Sequence, residues 1–206
     1  MRHTCANMAD LMSSSSSPIQ ISALPYSMFK PSTIWLTGLS GAGKSTLGKA
    51  LASSLKHQGI PCCSLDGDEL RHGLNKDLGF SEADRRENIR RVAEVARLMN
   101  HAGLVVVASF ISPYRADREN ARNIIGPSAF HEVYLSTSLE VCEARDPKKL
   151  YARARAGEIA YFTGLSAPYE PPLQAQLTLD TAHLGLSQCI DTLCEFASRC
   201  IATPDP

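Results

Sequence analysis

One stretch constrains this chain more than any other. An apolar run, Thr33-Ile34-Trp35-Leu36-Thr37, leads into Gly38-Leu39-Ser40-Gly41-Ala42-Gly43-Lys44-Ser45-Thr46. The spacing of Gly38, Gly43, Lys44 and Ser45 is that of a phosphate-binding loop. Glycines let the backbone turn tightly, so that successive N–H groups point at a polyphosphate. The start of the following helix adds its positive dipole end. Lys44 is expected to reach the β and γ phosphates and Ser45 to hold Mg²⁺, with Gly38 to Thr46 forming the nucleotide cradle. The glycine spacing alone recurs by chance; strand before and helix after make it specific.

The rest of the chain alternates in the same way. Strand-like runs cover 33–37, 62–65, 104–108, 132–135 and 177–180. Helical periodicity covers 44–57, roughly 81–101, 114–125, 139–144 and 185–200, with one further helix near 149–156. This predicts a three-layer α/β/α fold of the P-loop NTPase type, with a mostly parallel five-stranded sheet. Residues 1–31 differ: a serine run (Ser13–Ser17) and Pro18, Pro25 and Pro31 predict a flexible extension before the P-loop domain over 32–206. The charged, irregular segment at about 145–170 is expected to be a lid.

Totals narrow the function classes. Lysine plus arginine balance aspartate plus glutamate at 21 each, which gives no global pull toward nucleic acid or an anionic membrane. No apolar run approaches the roughly 20 residues of a membrane span. The seven cysteines are odd in number and form no CxxC pair, a pattern of reduced thiols that points to the cytoplasm.

In a parallel sheet, ligands bind at the carboxyl ends of the strands. Three polar groups fall there: the phosphate loop, Asp66-Gly67-Asp68, and Ser109 to Arg115. A GTPase would need an Asn-Lys-x-Asp element, which the chain lacks. A motor-type ATPase would usually carry an acid at the end of 104–108, where Ser109 and Phe110 stand instead. Asp66 and Asp68 can position Mg²⁺ and accept a proton from an attacking hydroxyl; the plainer alternative is that they cap the next helix. Along 81–101, Arg86, Arg90 and Arg91 have acids four residues away and read as surface pairs. Arg85 has none and shares a face with Asn88, so these two and Arg71 are candidates for an anionic substrate. Arg145, Lys148, Lys149, Arg153 and Arg155 form a second basic segment suited to closing over phosphates. Phe80 and Phe162 stand in polar contexts, where base stacking and loop packing are both open.

Taken together, these residues resemble the adenylylsulfate kinases. The resemblance spans about 32–180 and rests on Ile34-Trp35-Leu36-Thr37-Gly38, Leu65-Asp66-Gly67-Asp68, Arg71-His72-Gly73-Leu74-Asn75, Asp77-Leu78-Gly79-Phe80-Ser81, Asp84-Arg85 with Glu87-Asn88-Ile89-Arg90-Arg91, Ile111-Ser112-Pro113-Tyr114-Arg115, Arg145-Asp146-Pro147-Lys148 and Phe162-Thr163-Gly164 with Pro168-Tyr169-Glu170. It implies transfer of a phosphoryl group from ATP to the ribose 3′-hydroxyl of adenylylsulfate, with Mg²⁺. It implies that Arg71, Arg85 and Asn88 hold that substrate, that Phe80 and Phe162 sandwich its adenine, and that Ile111 and Ser112 line its site. Lys44, Asp66, Asp68 and Lys148 become the catalytic set, Ser45 and Asp66 the metal pair, and Arg145 a nucleotide contact. Ser112 matches a position described as a phosphoserine intermediate, although direct transfer needs only positioning and charge. The resemblance further implies a homodimer and functional association with an ATP sulfurylase. A kinase for another small metabolite and a non-catalytic nucleotide-binding module are the alternatives. The sequence departs from the family at Lys149, where glycine is usual, and at Glu69, where asparagine is usual.

Overall fold

The computed structural model describes residues 29–203. Strands β1 (Thr33–Gly38) and β3 (Val105–Ser109) are buried at every residue, which is why both read as continuous apolar runs. They form the centre of a sheet with β2 (Cys62–Asp66), β4 (Phe130–Leu135) and β5 (Leu177–Leu179), in the order β2-β3-β1-β4-β5. All pairings among the described residues are parallel, so the sheet is wholly rather than mostly parallel. The reason is that a helical crossover separates each strand from the next in sequence.

Alternation along the strands sends side chains to two separate cores. Ile34, Leu36, Val105 and Val107 pack under α1 (Lys44–His57) and α7 (Leu186–Ile201) through Leu47, Leu51, Leu193 and Phe196. Trp35, Val106 and Ala108 face the other way, toward α3 (Glu82–His101) and α4 (Arg115–Ile125), meeting Ile89, Val92, Ala96 and Ala121. Burying these side chains contributes roughly 1.5–3 kcal/mol for each large apolar group.

Two short helices, α5 (Leu139–Arg145) and α6 (Leu150–Arg155), lead into the lid between β4 and β5. One helix is absent from the runs read in the sequence: α2 (Gly67–Arg71) follows β2 directly. Five residues are too few to show helical periodicity. The start of α3 is set by Ser81, whose Oγ accepts from the Asp84 N–H at 3.1 Å.

Of the expected extension, residues 1–28 lie outside the described residues. Phe29 packs on the core and the Lys30 N–H donates to the Ile201 carbonyl at 2.7 Å, so the body begins a little before residue 32. No helix among the described residues is long and apolar enough to cross a membrane.

Candidate active site

The carboxyl ends of β1, β2 and β3 open onto a cleft of about 800 Å³. Its donor end is the loop between β1 and α1. Gly41 (φ 78°) and Gly43 (φ 102°) hold left-handed backbone that other residues adopt only with strain. A Cβ on Gly41 would also stand 2.8 Å from the Cys142 carbonyl oxygen. No side chain caps α1, so its first N–H groups are left for an anionic ligand. The Lys44 ammonium donates to the Gly38 and Leu39 carbonyls at 2.9 and 2.7 Å, and burial pushes its pKa down to about 8. Arg145 clamps the same loop from the lid. Its guanidinium donates to the Gly41 carbonyl at 3.3 Å and to Thr181 Oγ1 at 2.7 Å. Thr181 in turn donates to the Ala42 carbonyl at 3.0 Å.

Next along the cleft come the acids. Ser45 Oγ donates to Asp66 Oδ2 at 2.6 Å, while Asp66 Oδ1 accepts from the Asp68 N–H at 3.0 Å. Capping and chemistry were alternatives in the sequence; Asp66 caps α2 with one oxygen and faces Ser45 with the other. Two hard oxygens side by side fit Mg²⁺, which takes few protein ligands and keeps waters. Asp68 is exposed and ion-paired with the lid residue Lys148.

The other end of the cleft, the candidate acceptor end, is built from side chains. Arg71, at the end of α2, donates to the carbonyls of Leu78 and Gly79 and stacks over Phe80 at 4.3 Å from the ring centroid. Arg85 lies on the same ring at 5.7 Å and donates to the carbonyls of Phe80 and Tyr161 at 3.0 and 2.7 Å. All hydrogen bonds of both guanidiniums go to neutral carbonyls, so their charges stay available to an anion. The surface pairs expected for Arg86, Arg90 and Arg91 form: Arg86 with Glu82, Arg90 with Glu87 and Glu94, Arg91 with Glu87. Asn88 is buried beside Arg85 and lines the cleft with Ile111. Phe80 is 55% exposed, consistent with a stacking platform.

Two further candidate residues are buried. Phe162 was read as standing in a polar context, yet it is buried and packs edge-on against Tyr151 at 4.9 Å between centroids. The polar flanks hid it because its apolar partners come from α6 and the core. It still lines the cleft. Ser112, buried at φ 39°, accepts from the Trp35 indole N–H at 3.1 Å and donates to Thr37 Oγ1 at 2.9 Å. Thr37 in turn bonds the Tyr169 hydroxyl at 3.0 Å. Of the lid cations, Arg153 and Arg155 are taken by Glu158 and Glu143. Lys149 is exposed, at φ 54°, the conformation for which glycine is suited. Exposed Glu69 lies in the first turn of α2, where an acid suits the helix dipole.

Sequence reasoning missed Thr181, which joins Arg145 to the loop, and the Trp35-Ser112-Thr37-Tyr169 chain. Both depend on contacts between distant segments, which no local pattern announces.

A phosphate loop on a parallel sheet, two acids beside its serine and a lid lysine across the cleft define a P-loop kinase. The comparisons with known proteins sharpen that class. The model of the adenylylsulphate kinase family matches residues 30–180, and the chain belongs to that family. The adenylyl-sulfate kinase of Geotalea uraniireducens is 51% identical over 170 residues, covering 82% of each chain. That of Shewanella pealeana is 56% identical over 166 residues, covering 81% of each. Among solved structures, the APS kinase of Mycobacterium tuberculosis in complex with AMPPNP and APS is 44% identical, with a TM-score of 0.76, covering 83% of this chain and 97% of that one. A hexameric APS kinase from Thiobacillus denitrificans is 30% identical with a TM-score of 0.62, covering 85% of this chain and 30% of that one.

Proposed function

We propose that this chain transfers the γ-phosphoryl group of ATP to the 3′-hydroxyl of adenylylsulfate, giving 3′-phosphoadenylylsulfate and ADP. The observation that carries this reading is the continuity of the cleft. One cavity joins the phosphate loop to the Arg71, Phe80, Arg85 and Asn88 cluster, with Asp66 and Asp68 between them. The loop amides and Lys44 hold the donor phosphates, and Arg145 braces the loop. Ser45 and Asp66 would hold Mg²⁺, which would supply charge neutralisation at the phosphates. Phe80 stacks on the acceptor's adenine, Phe162 closes the other side of the site, and the two arginines and Asn88 take the anionic part. Asp68 accepts the proton of the attacking hydroxyl once the substrate displaces Lys148. Lys148 then faces the transferring group, where a cation stabilises developing charge.

Transfer is direct in this reading. The Ser112 hydroxyl is held by Trp35 and Thr37 and acts as an anchor for the Ile111-Ser112 turn. The domain works as a homodimer and takes its substrate from an ATP sulfurylase. Its six described cysteines are all free, which suits a reducing cytoplasm.

A coupled assay of ADP release tests the proposal. ADP should appear only when adenylylsulfate and ATP are both present. Release without adenylylsulfate, or release driven equally by a simple sugar or nucleoside, would overturn it.

A further inference from the structure

A buried amide stands behind the acceptor end of the cleft. Asn75 is 0% exposed and sits at the centre of the turn between α2 and α3. Its Nδ2 donates to Asn88 Oδ1 at 2.9 Å, while its own Oδ1 has no partner. The turn that carries it is fixed on both sides. Arg71 donates to the carbonyls of Leu78 and Gly79, and Arg91 to the Leu74 carbonyl and the Asp77 carboxylate. The Asn75 N–H is itself held by the Leu70 carbonyl at 2.9 Å. A polar side chain held so firmly out of solvent, with one end unpaired, costs stability. A cost of that kind points to a task.

We infer that Asn75 is a positioning residue that fixes which way round the Asn88 amide faces the substrate. An asparagine offers an acceptor on one side and two donors on the other. With Oδ1 of Asn88 taken by Asn75, its Nδ2 is the end left to face the cleft. The reverse arrangement would turn both amides over and leave the buried N–H₂ of Asn75 unpaired in place of a carbonyl. Orphaned N–H groups are the rarer and costlier case. Asn88 therefore presents a donor, suited to a phosphate or sulfate oxygen of the acceptor and unsuited to a donor group. Arg85, one helical turn earlier on the same face, supplies the charge. Asn75 touches no substrate and acts only through Asn88. This inference rests on the proposed role of Asn88 in holding adenylylsulfate.

A double-mutant cycle on the full chain, with Asn75→Ala, Asn88→Ala and the pair, tests it through KM. Asn75→Ala should raise KM for adenylylsulfate about tenfold, the effect of one misdirected hydrogen bond, and leave KM for ATP within about twofold. In the Asn88→Ala background the same change should add nothing. Asn75→Asp, which keeps the volume but can only accept, should turn the Asn88 oxygen toward the substrate and raise KM for adenylylsulfate at least as much. It also decides the matter if Asn75→Ala does not fold. Additive effects, an equal rise in both KM values, or an Asn75→Asp enzyme with unchanged KM would overturn the inference. Should Asn88→Ala itself leave KM for adenylylsulfate unchanged, the proposed role of Asn88 fails first and the inference falls with it. An effect of Asn88→Ala with none from Asn75 refutes the positioning role alone.

Discussion

The two ends of the cleft are made in opposite ways. The donor end is backbone: left-handed Gly41 and Gly43, the uncapped start of α1, and one lysine, all within nine consecutive residues. The proposed acceptor end is side chain: Arg71 from α2, Phe80 from a turn, Arg85 and Asn88 from α3, and Phe162 from the lid all line the cleft. Backbone amides recognise any polyphosphate, whereas placed side chains recognise one shape and charge pattern. The difference also separates failure modes. Damage to the donor end should abolish turnover with any acceptor, and damage to the acceptor end should spare nucleotide binding.

Lys44→Ala gives the largest expected effect. Losing the cation at the transferring group should lower kcat on the order of 10²–10⁴-fold. Steady-state assays should find adenylylsulfate binding intact, and a drop in both affinities would blur the two ends. Arg85→Ala should cost less, about 10–100-fold in kcat/KM for adenylylsulfate, the range for a hydrogen bond to a charged group. Isothermal titration should show ATP-analogue affinity nearly unchanged. Because Arg85 also holds the Tyr161 carbonyl, the same variant should loosen the lid to hydrogen exchange.

A pH profile separates the ends without mutation. Burial lowers the Lys44 pKa to about 8, so in the free enzyme its charge is present below that value and lost above it. kcat/KM for ATP should fall about tenfold per pH unit above pH 8. kcat should hold to higher pH, since bound phosphates restore the charged form. The stability sign is opposite to that of a lysine gaining a partner. Burial of the charge costs stability below about pH 8, and that cost fades as pH rises toward the ordinary lysine value. A flat kcat/KM profile between pH 7 and 9.5 would mean that the charge is held by other means.

Ser112→Ala should act on stability and not on chemistry. Removing the hydroxyl strands the buried Trp35 N–H, while Thr37 keeps its bonds to Ile111 and Tyr169, at a cost of roughly 1–3 kcal/mol in denaturant unfolding. Turnover should stay within about tenfold, whereas an obligatory covalent intermediate on Ser112 requires its loss. The smallest effect belongs to Lys149→Gly. Relief of left-handed strain offsets the added chain entropy and should raise stability by no more than about 1 kcal/mol. Thermal melting should shift upward by ~2–4 °C at most.

The same contrast explains what could be read from the sequence. The donor end was legible because its geometry is encoded locally: glycines where φ is positive, then the helix. Arg85 stood out by subtraction as the arginine without an ion pair, since its neighbours had acids at helical spacing and it had none. The structure agrees, with surface pairs on Arg86, Arg90 and Arg91 and only carbonyl partners on Arg85. The burial of Phe162 was not legible, because its partner Tyr151 lies eleven residues away in a helix with a single fully buried residue. Thr181 carried no sequence signal, and Asn75, although part of a family motif, gave no sign of its contact with Asn88. A threonine after an edge strand and an asparagine in a turn are ordinary, and their importance arises only when distant segments meet.

The most direct measurement follows the phosphorus. Incubated with Mg²⁺, ATP and adenylylsulfate, the enzyme should yield ADP and a new phosphomonoester signal in ³¹P NMR, coupled to the ribose 3′ proton. A general donor end joined to an acceptor end built for adenylylsulfate predicts that product alone. Inorganic phosphate in its place, or phosphate on another hydroxyl, would contradict the account of the acceptor end.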